Sequence, residues 1–251
     1  MSLEVAVLAD LHLDADSADR ILDELRETVD RIERRHDPDR LVILGDVVQD
    51  VSPEADARNV RRAVDVLDEF STPVRWLLGN HDVAALSRER VTDLLGNERY
   101  GADGPLVFLD SSAPRLGDGR GELDAEQLAF LDGVLDSRSN ALVFVHHPIH
   151  YHSLDDNYWF SDRPEVAFCG NKGAVEPMLD DGVRAVFNAH LHEADFRMID
   201  GVAHVTVDAF NKSASDRGVG AYATVTLADD GSLFVRQVDA EGLERTARLP
   251  P

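Results

Sequence analysis

The chain has 251 residues, enough for one large domain or two small ones, and 43% are hydrophobic, enough for a sizeable buried core. Its formal net charge of -23, carried with basic residues that are almost all arginine (only Lys172 and Lys212 are lysines), fits a protein kept soluble in concentrated salt, as in salt-accumulating halophiles, and argues against a nucleic acid partner at ordinary ionic strength. No apolar run approaches the roughly 18 residues of a membrane span, the lone Cys169 excludes an internal disulfide framework, and Leu3 to Ala9 runs into Asp10 without the basic flank of a secretory signal, so a cytoplasmic protein is expected.

Taken in chain order, strand and helix alternate. Leu3–Ala9, interrupted only by Glu4, is an apolar run, as in a strand buried on both faces. Ile21, Leu22, Leu25, Val29 and Ile32 recur at helical spacing, which predicts a helix from Ser17 to Arg35 with Ser17 as its N-cap. Leu41–Leu44 reads as a second strand, Ala57–Phe70 as a second helix and Val74–Leu78 as a third strand; Leu106–Leu109 follows as another. Leu123–Leu135 is helical, Ala141–Val145 a strand, Val175–Leu179 helical and Ala185–Asn188 a strand. After His192 the texture changes to antiparallel β: Phe196–Ile199, Val202–Val207, Tyr222–Leu227 and Leu233–Val238, with turns at Asp200-Gly201 and Asp230-Gly231. With no internal repeat or low-complexity linker, residues 1–251 read as a single domain of class α/β, two packed sheets with flanking helices. No heptad pattern bears on oligomeric state.

Short motifs bearing histidine and aspartate stand where these apolar strands end: Asp10-Leu11-His12, Gly45-Asp46, Gly79-Asn80-His81-Asp82, His146-His147-Pro148 and His190-Leu191-His192. In α/β folds ligands bind beyond the carboxyl ends of strands. Residues two apart in extended chain point the same way, so Asp10 with His12, and His190 with His192, are expected to act in pairs. Asp46 follows a glycine that permits close backbone approach, and its carboxylate has an oxygen for each of two ions. Asn80 offers an amide oxygen and His146 an imidazole. A donor set of Asp, Asn and His without thiolate suits manganese, iron, zinc or cobalt. Two divalent metal ions set against Asp10, Asp46 and a hydroxide leave a net positive site suited to a phosphate. Singly, each aspartate would be read as a cap or turn residue and each histidine as a satisfied core residue; their ordered recurrence is what points to metal.

From Val5 to about Asp208 the sequence resembles the calcineurin-like metallophosphoesterases, whose pattern D-x-H, G-D, G-N-H-D/E, H, G-H-x-H is matched in order, with Ala189 where the family usually has glycine. The resemblance implies a four-layer α/β/β/α sandwich of two mixed sheets. It implies that Asp10, His12, Asp46 and His192 hold one metal, and that Asp46, Asn80, His146 and His190 hold the other. It also implies that His81 contacts the phosphate or protonates the leaving oxygen, oriented by Asp82. The implied reaction is hydrolysis of a phosphate ester by attack of a metal-bridging hydroxide. Asp10-Leu11-His12-Leu13, His146-His147-Pro148 and the Asp200-Gly201 hairpin resemble the branch of class III cyclic nucleotide phosphodiesterases and glycerophosphodiesterases, so the expected substrate is a small phosphodiester. A phosphomonoester substrate, a nuclease, and a non-catalytic protein-binding scaffold on the same fold are the alternatives. The first shares the site, the second usually carries a longer capping region, and the third usually shows eroded ligand positions.

Other residues near the motifs read either way. His147 suits support of a neighbouring ligand, whereas His150 and His152 suit a solvated loop. Asp155–Gly173 lacks periodicity, and Tyr151, Tyr158, Trp159 and Phe160 beside it suit either stacking on a substrate ring or loop packing. Asn171 and Lys172 precede a helical segment where an anion would be favoured. His36, His204 and Cys169 are expected to be structural.

Overall fold

The structure, a computed structural model, describes residues 2–113, 116, 119–179, 182–212 and 218–251. Strands β1 (Leu3–Leu8), β2 (Arg40–Ile43) and β3 (Val74–Trp76) run parallel, and β10 (Tyr222–Leu227), β11 (Leu233–Val238) and β12 (Glu244–Leu249) extend them antiparallel into a sheet ordered β12-β11-β10-β1-β2-β3. The second sheet is ordered β4-β5-β6-β7-β9-β8, from β4 (Gly101–Asp103), β5 (Leu106–Phe108), β6 (Ala141–Phe144), β7 (Val183–Asn188), β8 (Asp195–Ile199) and β9 (Val202–Thr206).

Period-two alternation of side chains builds the layers. On β1, Ala6 and Leu8 face a core made with helices α1 (Ala18–His36), α2 (Pro53–Leu67) and α3 (Arg88–Leu95), while Val5 and Val7 face the other sheet. Leu142 and Phe144 of β6 meet them from the second sheet, and Val143 turns outward to α4 (Ala125–Leu135) and the short α5 (Lys172–Val175). Strands buried on both faces are apolar at every position, which is why they read as continuous runs. The inter-sheet core holds a stack of rings, Phe108 on Phe144 at 5.5 Å and Phe144 on Phe187 at 5.0 Å. The order is thus helix, sheet, sheet, helix, as the resemblance implied.

Several local expectations shift. α2 starts at Pro53 rather than Ala57, because Ser52 accepts a hydrogen bond from the Ala55 N–H and proline suits the first helical position. Ser17 makes no side-chain cap; instead Asp14 accepts from the Asp16 and Ser17 N–H groups just before α1. The helical segment expected at Val175–Leu179 is α5 followed by a 3-10 turn over Glu176–Met178. The tail is not wholly antiparallel: β9 pairs with β7 in parallel, and the tail strands divide between the two sheets. α3, β4 and β12 were not foreseen. α3 buries only Val91 and Leu95, β4 is three residues long, and β12 is largely exposed at a sheet edge. No helix among the described residues is long and apolar enough to cross a membrane.

Candidate metal centre

The parallel strands of both sheets deliver their carboxyl ends to one place. Asp10 and His12 follow β1, Asp46 follows β2, Asn80 to Asp82 follow β3, His146 follows β6, and His190 and His192 follow β7. Backbone bonds lace these loops together: the Asp10 N–H donates to the Gly45 carbonyl (3.1 Å), the His12 N–H to the Asp46 carbonyl (2.9 Å) and the Ala189 N–H to the His146 carbonyl (2.9 Å). The approach of the β2 and β3 loops requires glycine. A Cβ on Gly45, whose φ is 96°, would lie 2.5 Å from the Gly79 nitrogen.

The paired residues meet for a different reason from the one the sequence suggested. They are not extended: Asp10, His12, Asp46, His190 and His192 all have left-handed backbone, with φ of 55°, 46°, 51°, 68° and 56°. Non-glycine residues adopt that conformation at a cost of order 1–3 kcal/mol each, and such strain clusters at functional sites.

The side chains converge without satisfying one another. Nε2 of His12 lies 3.0 Å from Nε2 of His192. Nε2 of His146 is 3.4 Å from the Asp46 carboxylate, and that of His192 is 3.6 Å from Asp10. Both oxygens of Asp10, Oδ2 of Asp46, Oδ1 of Asn80 and Nε2 of His146 are buried with no hydrogen-bond partner. His146 donates from Nδ1 to the Leu44 carbonyl (2.7 Å), and His190 from Nε2 to the Val166 carbonyl (3.3 Å), which leaves the opposite nitrogen of each ring as the one that could face a metal. Potential donor atoms of Asp10, His12 and His192, and of Asp10, Asp46 and His146, lie within 4.8 Å of one another. A buried polar atom without a partner costs about 1–3 kcal/mol. A cluster of them from separate loops is the arrangement that a bound cation completes, so the residues fit divalent metal.

Burial raises the Asp10 carboxyl well above the usual range and lowers His12 to about 4. Burial opposes charge on both Asp46 and His146, yet their mutual attraction holds Asp46 well below the usual carboxylate range and raises His146 to about 9. Burial also lowers His190 and His192 well below the usual imidazole range.

His81 stands at the rim with 28% of its side chain exposed, and its Nδ1 lies 3.3 Å from Oδ2 of Asp50. That contact corrects the role expected of Asp82. Its carboxylate is fully buried and accepts from the backbone N–H groups of Asp46 (2.9 Å), Val47 (2.8 Å), Val48 (3.3 Å) and Gly79 (2.9 Å). Burial and the charge of Asp46 push it up to about 7, and the backbone donors resist that rise. Asp82 therefore ties the Asp46 loop to the Asn80 loop, while Asp50 is the carboxylate that faces His81. Asp50 belongs to none of the sequence motifs; it has left-handed backbone, φ 57°, where it approaches His81.

His147 is adjacent but offers no free nitrogen. Nε2 donates to the Gly119 carbonyl (2.8 Å), Nδ1 accepts from the Ser111 hydroxyl (2.8 Å), and its ring lies 4.4 Å from that of His190. Burial holds it neutral, at about 3. His36, Cys169 and His204 lie away from the cluster; the Cys169 thiol is buried and pushed up to about 11. His150 pairs with Glu176 at 3.4 Å. Asn171 bonds the backbone of Leu123 at both its amide atoms, so it serves loop packing.

A cavity of about 470 Å³ opens on the cluster, and its lining joins His12, Asp46, His81 and His192 to Trp159, Phe160 and Arg163. Small-molecule sites span roughly 300–1,000 Å³. A neighbouring cavity of about 410 Å³ is bordered by Glu193, Asp239 and Glu241, and no metal-binding cluster among the described residues lies in it.

The family model for calcineurin-like phosphoesterases matches residues 3–194. A 3′,5′-cyclic adenosine monophosphate phosphodiesterase of Pseudomonas aeruginosa, CpdA, is 32% identical over 59% of this chain and 56% of its own length, so the chain spans a little over half of that curated relative. Among solved structures, a dimetal phosphatase from Danio rerio superposes with a TM-score of 0.75 at 18% identity, over 97% of this chain and 98% of that one. GAP50, described as the anchor in the inner membrane complex of Plasmodium, superposes at 0.67 and 14% identity, over 99% and 89%. These structural likenesses carry the fold, and the family match covers the segment from β1 to His192: the chain belongs to the calcineurin-like phosphoesterase family.

Proposed function

We propose that this chain is a metal-dependent phosphoesterase with a dinuclear centre, acting on a small phosphodiester. One ion would be held by Asp10, His12, Asp46 and His192, the other by Asp46, Asn80, His146 and His190. The observation that carries this reading is the convergence of partnerless buried oxygen and nitrogen atoms from loops of both sheets onto a cavity of substrate size. When bound, two divalent cations supply positive charge against the phosphate and acidify a water toward neutral pH. The chain's own residues do the rest. Asp10 and Asp46 set the charge of the site, and His146 and His190 are held in one tautomer by their carbonyl partners. At the rim, His81 would donate a proton to the leaving oxygen, its ring oriented by Asp50, whose carboxylate lies 3.3 Å from Nδ1. Two divalent ions are supported by the donor set, which admits manganese, iron, zinc or cobalt.

Preference for a diester is supported by the cyclic nucleotide phosphodiesterases among the relatives. The same proposal treats the whole chain as one metallophosphoesterase domain, because both sheets contribute to the site. It places the protein in the cytoplasm of a salt-accumulating cell, in line with the net charge of -23 and a buried free cysteine.

The test is hydrolysis of bis-p-nitrophenyl phosphate and p-nitrophenyl phosphate side by side in molar KCl, with manganese and with or without chelator. Chelator-sensitive turnover with the diester faster is expected. Faster turnover of the monoester would replace the diesterase reading by phosphomonoesterase, and metal binding without turnover of either ester would sink the enzyme reading in favour of a scaffold.

A further inference from the structure

The aromatic turn beside the metal centre is bolted to it. The Asn157 amide, nearly fully buried, donates to the Leu191 carbonyl at 3.0 Å, between His190 and His192. The same amide's oxygen accepts the N–H groups of Trp159 and Phe160, each at 2.9 Å. Trp159 and Phe160 thus take their positions from the backbone of the two histidines. The Phe160 ring packs 4.8 Å from that of His190, and the indole of Trp159 meets the His192 ring edge-on at 5.6 Å.

Phe160 is buried and belongs with Leu154, Ala167, Phe168 and Leu191 in a small core of its own. Trp159 is only half-buried and lines the cavity. The chain's other tryptophan, Trp76, lies in the main core. Arg163, exposed at the same cavity and 5.8 Å from the Phe160 ring centroid, puts a cation at the mouth of a site in a strongly acidic chain. A fixed planar apolar surface against the proposed metal-holding His190 and His192, with a cation beside it, suits a planar ring joined to a phosphate through a short polar spacer. That is the shape of a nucleotide. A glycerol or choline ester has no ring to place there.

We infer that Trp159 is a specificity-determining residue: it stacks the base of a nucleoside-bearing phosphodiester whose phosphate sits at the His12, Asp46 and His192 end of the cavity. This rests on the phosphoesterase reading above. Stacking of a base on an aromatic side chain is sequence-tolerant, so the site discriminates base from no base more than one base from another.

The test titrates manganese-loaded protein with adenosine 5′-monophosphate and with ribose 5-phosphate, reading binding heat and tryptophan fluorescence. The nucleotide should bind at least about tenfold more tightly than the sugar phosphate and quench fluorescence. Trp159→Ala should erase that ratio, and Trp159→Phe, which keeps a ring, should retain most of the affinity ratio while losing the quench. Equal affinity for the two ligands in the wild type, or a Trp159→Ala variant that weakens both equally, overturns the inference. If the wild type also hydrolyses bis-p-nitrophenyl phosphate in a chelator-sensitive way, the phosphoesterase reading survives that result. If it binds neither ligand and turns over no ester, both fall together.

Discussion

Replacing Gly79 by alanine perturbs the tightest junction in the site. The added Cβ would press directly on Oδ1 of Asp46 and lie 2.5 Å from the Asp46 nitrogen, about 0.9 Å short of an ordinary 3.4 Å contact. The clash falls on the Asp46 backbone as well as on its carboxylate, so swinging that side chain away does not relieve it. The junction is also reciprocal, since Gly45 is as close to Gly79. The N–H groups of Gly79 and Asp46 donate to the same oxygen of Asp82, each at 2.9 Å, so a retreat of either loop strains that shared acceptor. Overpacking of this kind costs roughly 1–3 kcal/mol, and loss of one buried hydrogen bond adds about as much. For a chain of this size those two costs together are a fall in Tm of roughly 4–24 °C. A misplacement of about 1 Å at a reacting group costs on the order of a hundredfold in rate, and Asp46 is the carboxylate proposed to touch both ions. Gly79→Ala should therefore lose about a hundredfold in kcat/KM on bis-p-nitrophenyl phosphate at saturating manganese while remaining folded by circular dichroism. Gly133→Ala is the matched control. It lies within α4, where an added Cβ meets no heavy atom within 4 Å, so turnover should hold and Tm should stay level or rise. Gly79→Ala turnover within about threefold of wild type would refute the argument that this backbone junction sets the position of Asp46.

Loading with manganese or zinc should raise Tm, because an ion at a hundred times its Kd contributes about 2.7 kcal/mol per site; calorimetry showing the same Tm with metal and with chelator would mean that the partnerless atoms bind no cation. Asp50→Asn should lower kcat by up to about fivefold with little change in KM, the scale of a half-exposed ion pair; Asp82→Ala should instead lower Tm by leaving several backbone donors buried and unpaired. If the two variants exchange these phenotypes, the reassignment of the carboxylate facing His81 is wrong. His204 supplies a pH dependence of stability. Burial first, and then the nearby His150 and His152, lower its imidazole to about 4 in the folded state, below the ordinary 6.5. The folded state thus prefers the neutral ring. That stability is present above about pH 6.5 and is lost as the pH falls toward 4, by up to about 3 kcal/mol. Chemical denaturation between pH 7 and 4 should show a smaller loss in His204→Phe than in the wild type, and identical pH slopes would remove His204 from the account.

The layered interior and the inventory of the site are legible in the chain itself. The buried runs Val5–Leu8 and Ala141–Phe144 are apolar at every position because each lies between two layers, so composition and run length alone reported them. The helices with a wide apolar stripe, above all α1, were equally plain, whereas α3 and β12 bury too little to impose a period. The motif residues were legible because their types are scarce and their order is that of the strand ends. How they meet is set by the folded backbone. Left-handed backbone at Asp10, His12, Asp46, His190 and His192 carries no sequence signal of its own, since any L residue can be held there when loops on both sides bond its backbone. The exchange of roles between Asp82 and Asp50 has the same origin: adjacency in the motif suggested that Asp82 faces His81, but contact across strands turned it onto backbone donors from β2's loop. The seating of Trp159 on the Leu191 carbonyl through Asn157 joins residues 34 apart in the chain, beyond the reach of any local pattern.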